Sequence, residues 1–243
     1  MRPVHLILGA AGGIGSALSK QLASEGAQLA LAGRRIEPLE QLAETVGGSV
    51  HPLDASSVDE VEQAIAKVVE THGRIDGVVN CVGSILLKPA HRTSTEEWRD
   101  TLSANLDTSF AAVRGATRAM MKTGGSIVLL SSAVASTGLP NHEAIAAAKA
   151  GVVGLARSAA ASYAGRGIRV NVVSPGLVRT PLSQPITANP ASEKASTAMH
   201  ALGRLGEPEE VASAIAWFLN PTQSWVTGQV LGVDGGLGSI RKQ

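Results

Sequence analysis

The chain has 243 residues, 44% of them apolar but only 2% aromatic, and a formal net charge of +1. A balance this near neutral argues against nucleic acid or an anionic membrane surface as a partner, because both call for a basic stripe. One cysteine, Cys81, leaves no internal disulfide and fits a reducing, cytoplasmic setting. The length suits a single α/β domain over residues 1–243, with enough chain to bury a large core of Ala, Val, Leu and Ile. The N-terminal apolar run is too short for a signal peptide. No apolar stretch reaches the length of a membrane span without glycine or charge.

His5 to Leu8 reads as a buried strand, followed by a glycine-rich turn and a helix from about Gly13 to Glu25 that Gly26 stops. Gln28 to Ala32 is a second strand, Ile36 to Val46 a helix, and Ser49 to Leu53 a third strand. Ser57 followed by Glu60 forms a capping box that opens a helix to about His72. Gly77 to Asn80 is the fourth strand. Ser94 with Glu97 is a second capping box, opening a long helix to about Met121. Ser126 to Leu130 is a strand, Glu143 to Ala164 a helix, Arg169 to Val173 a strand, Glu207 to Leu219 a helix and Gln229 to Val233 the last strand. This regular alternation predicts parallel strands joined by right-handed crossovers: a doubly wound α/β sheet of about seven strands with helices on both faces. The stretch from Thr180 to Thr197, rich in Pro, Ser, Thr and Ala, reads either as a mobile lid or as an ordinary surface excursion.

Gly9-Ala-Ala-Gly12-Gly13-Ile14-Gly15 lies directly between a strand and a helix. Glycines there let the backbone turn sharply and approach a pyrophosphate, which then rests on the helix N-terminus. The second strand ends Gly33-Arg34-Arg35, with no acidic residue to accept from ribose hydroxyls. Two guanidinium groups at that place suit a 2′-phosphate, so the expected cofactor is NADP(H).

The loop spacing, G-x-x-x-G-x-G, resembles that of the short-chain dehydrogenase/reductase family, with Leu8 where the family usually carries Thr. The resemblance covers nearly the whole chain and implies a Rossmann fold. It includes Asp54 after the third strand, which in the family contacts adenine. It includes Asn80-Cys81-Val82-Gly83 for the family's N-N-A-G, and Asn105 for the Asn that supports the active site. It also includes Pro175-Gly176-Leu177-Val178-Arg179-Thr180, the P-G-x-x-x-T segment beside the nicotinamide, and the tail from Gly228 to Gly236. By the same resemblance Ser132 and Lys149 match the catalytic Ser and Lys, and Ser131 is the less favoured neighbour of Ser132. The pattern is closest to the 3-oxoacyl-(acyl-carrier-protein) reductase-like branch.

The family's proton donor is missing. Four residues before Lys149 stands Ile145 where the family carries Tyr, and the only tyrosine, Tyr163, lies fourteen residues past the Lys. General acid–base catalysis is typically worth about 10²–10⁴-fold, so the gap bears on rate and leaves cofactor binding intact. Three readings are open. In the first, His142 donates. It lies three residues before Ile145 and seven before Lys149, which places all three on one helix face if Asn141 is the N-cap. Its position is also that of the Tyr in the divergent enoyl-reductase branch. Glu143 is a weaker candidate, being ionised unless buried. In the second, the reaction needs less acid, as in reduction of an activated double bond, and Ser132 with a water carries the proton. In the third, the chain binds NADP(H) without turnover, as a sensor or a partner subunit. The resemblance further implies a homotetramer or dimer built through the long helices and the late helix with the last strand. The segment from Pro181 to Thr197 has no charge cluster for an acyl-carrier phosphate, which points to a small, neutral or modestly polar substrate.

Overall fold

The computed structural model describes residues 2–240. Leucine-rich and β-branched runs become strands, and amphipathic stretches become helices. In chain order these are β1 (Val4–Leu8), α1 (Gly13–Ser24), β2 (Gln28–Gly33), α2 (Ile36–Val46), β3 (Ser49–Pro52), α3 (Val58–His72), β4 (Gly77–Asn80) and α4 (Thr95–Leu102). There follow α5 (Thr108–Met120), β5 (Gly125–Leu130), α6 (Glu143–Tyr163), β6 (Ile168–Pro175), α7 (Gln184–Thr187), α8 (Pro190–Met199), α9 (Pro208–Leu219) and β7 (Val230–Val233). The seven strands form one parallel sheet in the order β3-β2-β1-β4-β5-β6-β7.

Every residue of β1 and β4 is buried, which is how a parallel sheet covered on both faces must read. Successive side chains point to opposite faces. Leu6 and Leu8 join one core layer with residues of α3, α5 and α6. Ile7 joins the other with residues of α1, α2 and α9. Burial of each such side chain contributes about 1.5–3 kcal/mol. The register pairs Leu8 with both Ala32 and Asn80, and Asn80 with Leu129. The carboxyl ends of β1, β2, β4 and β5 are therefore level, and the strand order reverses between β1 and β4. That crevice is where ligands bind in open α/β sheets.

Three local expectations are corrected. The helix expected from Ser94 to Met121 is broken by a π turn at Ser103–Asp107, in which the Thr108 N–H reaches the Ser103 carbonyl. Side chains compete with the helical ladder there. Asn105 Nδ2 donates to the Thr101 carbonyl at 2.9 Å, and the Thr108 and Ser109 hydroxyls donate to the carbonyls of Ala104 and Asn105. The Ser94 capping box is complete, but the one at Ser57 is half formed. The Glu60 carboxylate accepts from the Asp54 N–H at 2.8 Å instead of turning back to Ser57. The N-cap of α6 is His142, not Asn141, which takes a φ of +65° just before it. The stretch from Thr180 to Thr197, lid or surface excursion, carries α7 and most of α8. Residues 143–166 are long and apolar enough to cross a membrane by length and composition. Here α6 carries a buried lysine and packs along β6, as a core helix does.

Candidate active site

The glycine-rich turn closes on itself before α1 begins. The N–H groups of Gly9 and Ala10 both reach the Ala32 carbonyl, at 2.8 and 3.1 Å, and Gly12 N–H reaches the Gly9 carbonyl at 3.0 Å. Gly9 holds a φ of +75°, a conformation that favours glycine. Gly15 packs against the Gly9 carbonyl. A methyl on Gly13 would lie 2.7 Å from Thr180 Cγ2, so the segment after β6 is seated directly on this loop. The cap residue Gly12 offers no side chain to the first turn. The amides of Gly13, Ile14 and Gly15 are thus the orphan donors of a helix start, in a cradle that side chains would fill. These features fit a pyrophosphate.

At the end of β2, Arg34 and Arg35 are exposed, and neither makes a hydrogen bond or ion pair with a described residue. Asp54, past the end of β3, accepts from the Ser56 N–H at 2.9 Å and the Ser56 hydroxyl at 2.8 Å. These bonds, with a smaller contribution from Arg34, hold its carboxyl below the usual range. The three groups form a polar wall beside the glycine loop with a net excess of positive charge.

Four of the expected residues converge beyond β4 and β5. Asn80 is buried, and its amide is committed to the protein: Nδ2 donates to the hydroxyls of Thr108 and Ser109, and Oδ1 accepts from the Val82 N–H. Asn105, within the π turn, accepts from the Ser84 N–H at 3.2 Å and donates to the Ser84 hydroxyl at 2.9 Å. It thereby fastens the chain after Gly83. A methyl on Gly83 would lie 2.9 Å from Asn105 Oδ1 and 3.4 Å from Lys149 Nζ, so the three residues meet at one point. Lys149 is only 7% exposed and donates from Nζ to the Leu130 carbonyl at 2.9 Å. Burial draws its amine down to about 8, although the neighbouring Cys81 acts the other way. Burial likewise pushes the Cys81 thiol up to about 12.

The two serines after β5 divide their work. The Ser131 hydroxyl donates to the Lys149 carbonyl at 2.9 Å and is buried. Ser132 only accepts, from the Val134 N–H at 3.4 Å, which leaves its proton free to donate. Of the two, Ser132 is therefore the open hydroxyl. Ile145 and Lys149, one turn apart, are both on the buried face of α6. His142 stands outside that helix, so the shared-face argument does not reach it. Its Nδ1 lies 2.8 Å from the Pro140 carbonyl, which can only accept, so the proton sits on Nδ1. Glu143 receives the Ala90 N–H, and Tyr163, at the far end of α6, packs against the core.

The segment after β6 is tied down by residues that no sequence motif marks. Gly176 is crowded by the ring of buried His200: a methyl there would lie 2.6 Å from Nε2. His200 accepts the Leu177 N–H on Nε2, and its Nδ1 faces the Ser196 carbonyl. Val178 is buried, bridging to Gly206, and Ser183 joins the Thr180 N–H to the Val178 carbonyl. Arg179 pairs with Glu193 at 2.5 Å and Glu207 at 3.6 Å. Pro175 closes β6. A cavity of about 1100 Å³ lies at the amino ends of the strands, beside His5, Asp76 and Arg169, and contains none of these groups.

Comparison with known proteins agrees with this geometry. The family model described as enoyl-(acyl carrier protein) reductase matches residues 9–238. Over 240 residues the chain is 40% identical to the 3-oxoacyl-(acyl-carrier-protein) reductase of Thermotoga maritima, across 96% of this chain and 97% of that protein. A solved short-chain type dehydrogenase/reductase from Mycobacterium ulcerans superposes with a TM-score of 0.94 at 32% identity, covering 99% of this chain and 91% of that one. An actinorhodin polyketide ketoreductase solved with NADPH gives a TM-score of 0.92 at 30% identity, covering 98% of each chain.

Proposed function

The chain belongs to the short-chain dehydrogenase/reductase family, and we propose that it is an NADP(H)-dependent reductase of a small, neutral carbonyl or activated double bond, working without a tyrosine acid. The observation that carries this reading is the joint placement of Ser132, Asn105, Gly83 and Lys149 at the carboxyl ends of the strands, level with the uncapped start of α1. When bound, NADPH supplies the hydride. The chain's own residues do the rest. The amides of Gly13 to Gly15 receive the pyrophosphate, Lys149 holds the ribose, and Ser132 donates to the oxygen that gains charge. Preference for the 2′-phosphate rests on Arg34 and Arg35, which make no hydrogen bond or ion pair among the described residues; the similar ketoreductase was solved with NADPH.

The same reading includes a homo-oligomer. Trp225 is 98% exposed, and Val230 and Leu231 on edge strand β7 and Trp217 on α9 are exposed apolar neighbours in sequence. Such a surface suits contact with a second copy. A cytoplasmic site is part of the proposal too, on the strength of the single free cysteine.

The test is NADPH consumption by the purified protein with ketones, ketoacyl thioesters, quinones and enones. Turnover of at least one class, with NADPH favoured over NADH, is expected. In the same assay Ile145→Tyr should raise ketone reduction about 10²-fold or more, since the remaining groups are assembled. Tight NADPH binding with no turnover of any substrate would make the chain a sensor or partner subunit and sink the reductase reading.

A further inference from the structure

We infer that Lys149 is itself the proton donor of this site, passing an ammonium proton to the substrate oxygen directly or through the Ser132 hydroxyl. The inference rests on the reductase reading and deepens it. It starts from what each proton-bearing group is doing. Tyr163 is at the distant end of α6, and the Ser131 hydroxyl is spent on the Lys149 carbonyl. The His142 ring lies outside α6 with its Nδ1 proton on the Pro140 carbonyl, so its other nitrogen offers a lone pair in the neutral ring. Glu143 receives the Ala90 N–H. Ser132 has a free proton but, alone, no source to replace it.

Lys149 is placed differently. It shares the buried face of α6 with Ile145, one turn before it, whose apolar side chain has no proton to give. Of the three Nζ protons one goes to the Leu130 carbonyl, and two remain. The ammonium faces the same point beside Gly83 as the Asn105 amide oxygen. Leu130, whose carbonyl holds Nζ, ends β5 two residues before Ser132, so both groups belong to the same end of that strand. Among the described groups, Cys81 after β4 is the titratable neighbour of Nζ; the π turn between α4 and α5 presents Asn105, and the chain after β5 presents Ser131 and Ser132. An ammonium lowered to about 8 is a far better donor near neutral pH than an ordinary lysine.

The atoms balance. As the carbonyl carbon accepts hydride, the C–O π pair moves to oxygen. One N–H bond of the ammonium breaks and an O–H bond forms. Lys149 is left as the neutral amine, and solvent water returns its proton.

The experiment combines turnover, binding and direct titration. Lys149→Arg keeps a charge for the ribose but cannot release a proton. It should bind NADPH within tenfold of wild type and lose 10²-fold or more in kcat. Wild-type kcat should fall tenfold per pH unit above about 8, and His142→Ala should change kcat less than threefold. If Lys149→Arg does not fold, Lys149→Ala supplies the second arm. Its turnover should be restored by added alkylammonium, in order of the amine's acidity. Independently of any substrate, the Lys149 resonance of ε-carbon-13-lysine-labelled protein with NADP⁺ should titrate well below 10. Turnover retained by Lys149→Arg, loss in His142→Ala, or a Lys149 titration at 10 or above overturns the inference and leaves the reductase reading standing. Absence of any wild-type turnover removes both.

Discussion

Acidification from pH 7 to pH 5 should cost this fold about 2 kcal/mol through one residue, His5. It is 4% exposed on β1, and its Nδ1 has no hydrogen-bond partner. Gly77 on β4 leaves room for the ring, since any side chain there would collide with it. Burial lowers the imidazole from 6.5 to about 4, against the opposing pull of Asp76. Between those values the unfolded chain binds a proton that the folded chain refuses. Stability therefore rises with pH across the window and is complete above about 6.5. At about 1.4 kcal/mol per pH unit, the full difference approaches 3.4 kcal/mol below pH 4, and about 2 kcal/mol of it is lost by pH 5. For a domain of this size that is a fall in Tm of about 4–8 °C. Urea unfolding of wild type and His5→Val at pH 5, 6 and 7 isolates the effect, because every other titrating group is common to both. Parallel pH dependence of the two proteins, within about 0.5 kcal/mol, would refute the reasoning.

Gly83→Ala places a methyl between Asn105 Oδ1 and Lys149 Nζ. It should cut kcat by 10²-fold or more in the NADPH assay while Tm falls only a few degrees. Arg34→Ser with Arg35→Ser should lower the NADPH-over-NADH preference about 10–100-fold by fluorescence titration, because charge-assisted hydrogen bonds contribute about 1.5–3 kcal/mol. Ser94→Ala opens a complete capping box and should cost about 1 kcal/mol, read as a Tm lower by about 2–4 °C with NADPH affinity unchanged. Lys149→Met should abolish one pH limb. The wild-type amine is lowered from 10.5 to about 8, so between these values the unfolded chain holds the extra proton and wild-type stability climbs with pH. The variant should lack that climb in urea unfolding at pH 8 to 10.5.

What could be read in the sequence follows from how local the cause is. Strands such as Leu6-Ile7-Leu8 and Val78-Val79 are unbroken apolar runs, and only burial on both faces satisfies them. The Ser94 box is a short-range device closed within three residues, and the Gly9–Gly15 loop is marked by the glycines that its own turn requires. Where a group has competing partners, the local pattern does not decide between them. Glu60 left Ser57 for the Asp54 N–H, a choice set by the β3 terminus. Asn105 was recognised, but the π turn that carries it depends on Ser84 and on hydroxyls one turn onward. His142 shifted from first turn to cap because Asn141 is tied through its carbonyl to Lys88. No sequence signal marks His200, since nothing in the Ser-, Thr- and Ala-rich helix before it announces a ring that holds Leu177 and crowds Gly176.

The absent tyrosine and the buried lysine are two halves of one problem. An ammonium placed in the interior without a carboxylate destabilises the fold at neutral pH by about 3 kcal/mol, the difference between an amine at 10.5 and one at about 8. A chain with only a pyrophosphate to hold has the α1 amides for that purpose and could fill the lysine's place with an apolar residue. Here the surroundings of Nζ are built for a charge: a carbonyl at 2.9 Å, a glycine that keeps the approach clear, and Asn105 on the far side of it. With phenol in place of Ile145, that charge would have acted on the phenol. Without it, the same arrangement directs the ammonium toward the substrate, and the low amine value becomes a catalytic property of the lysine itself.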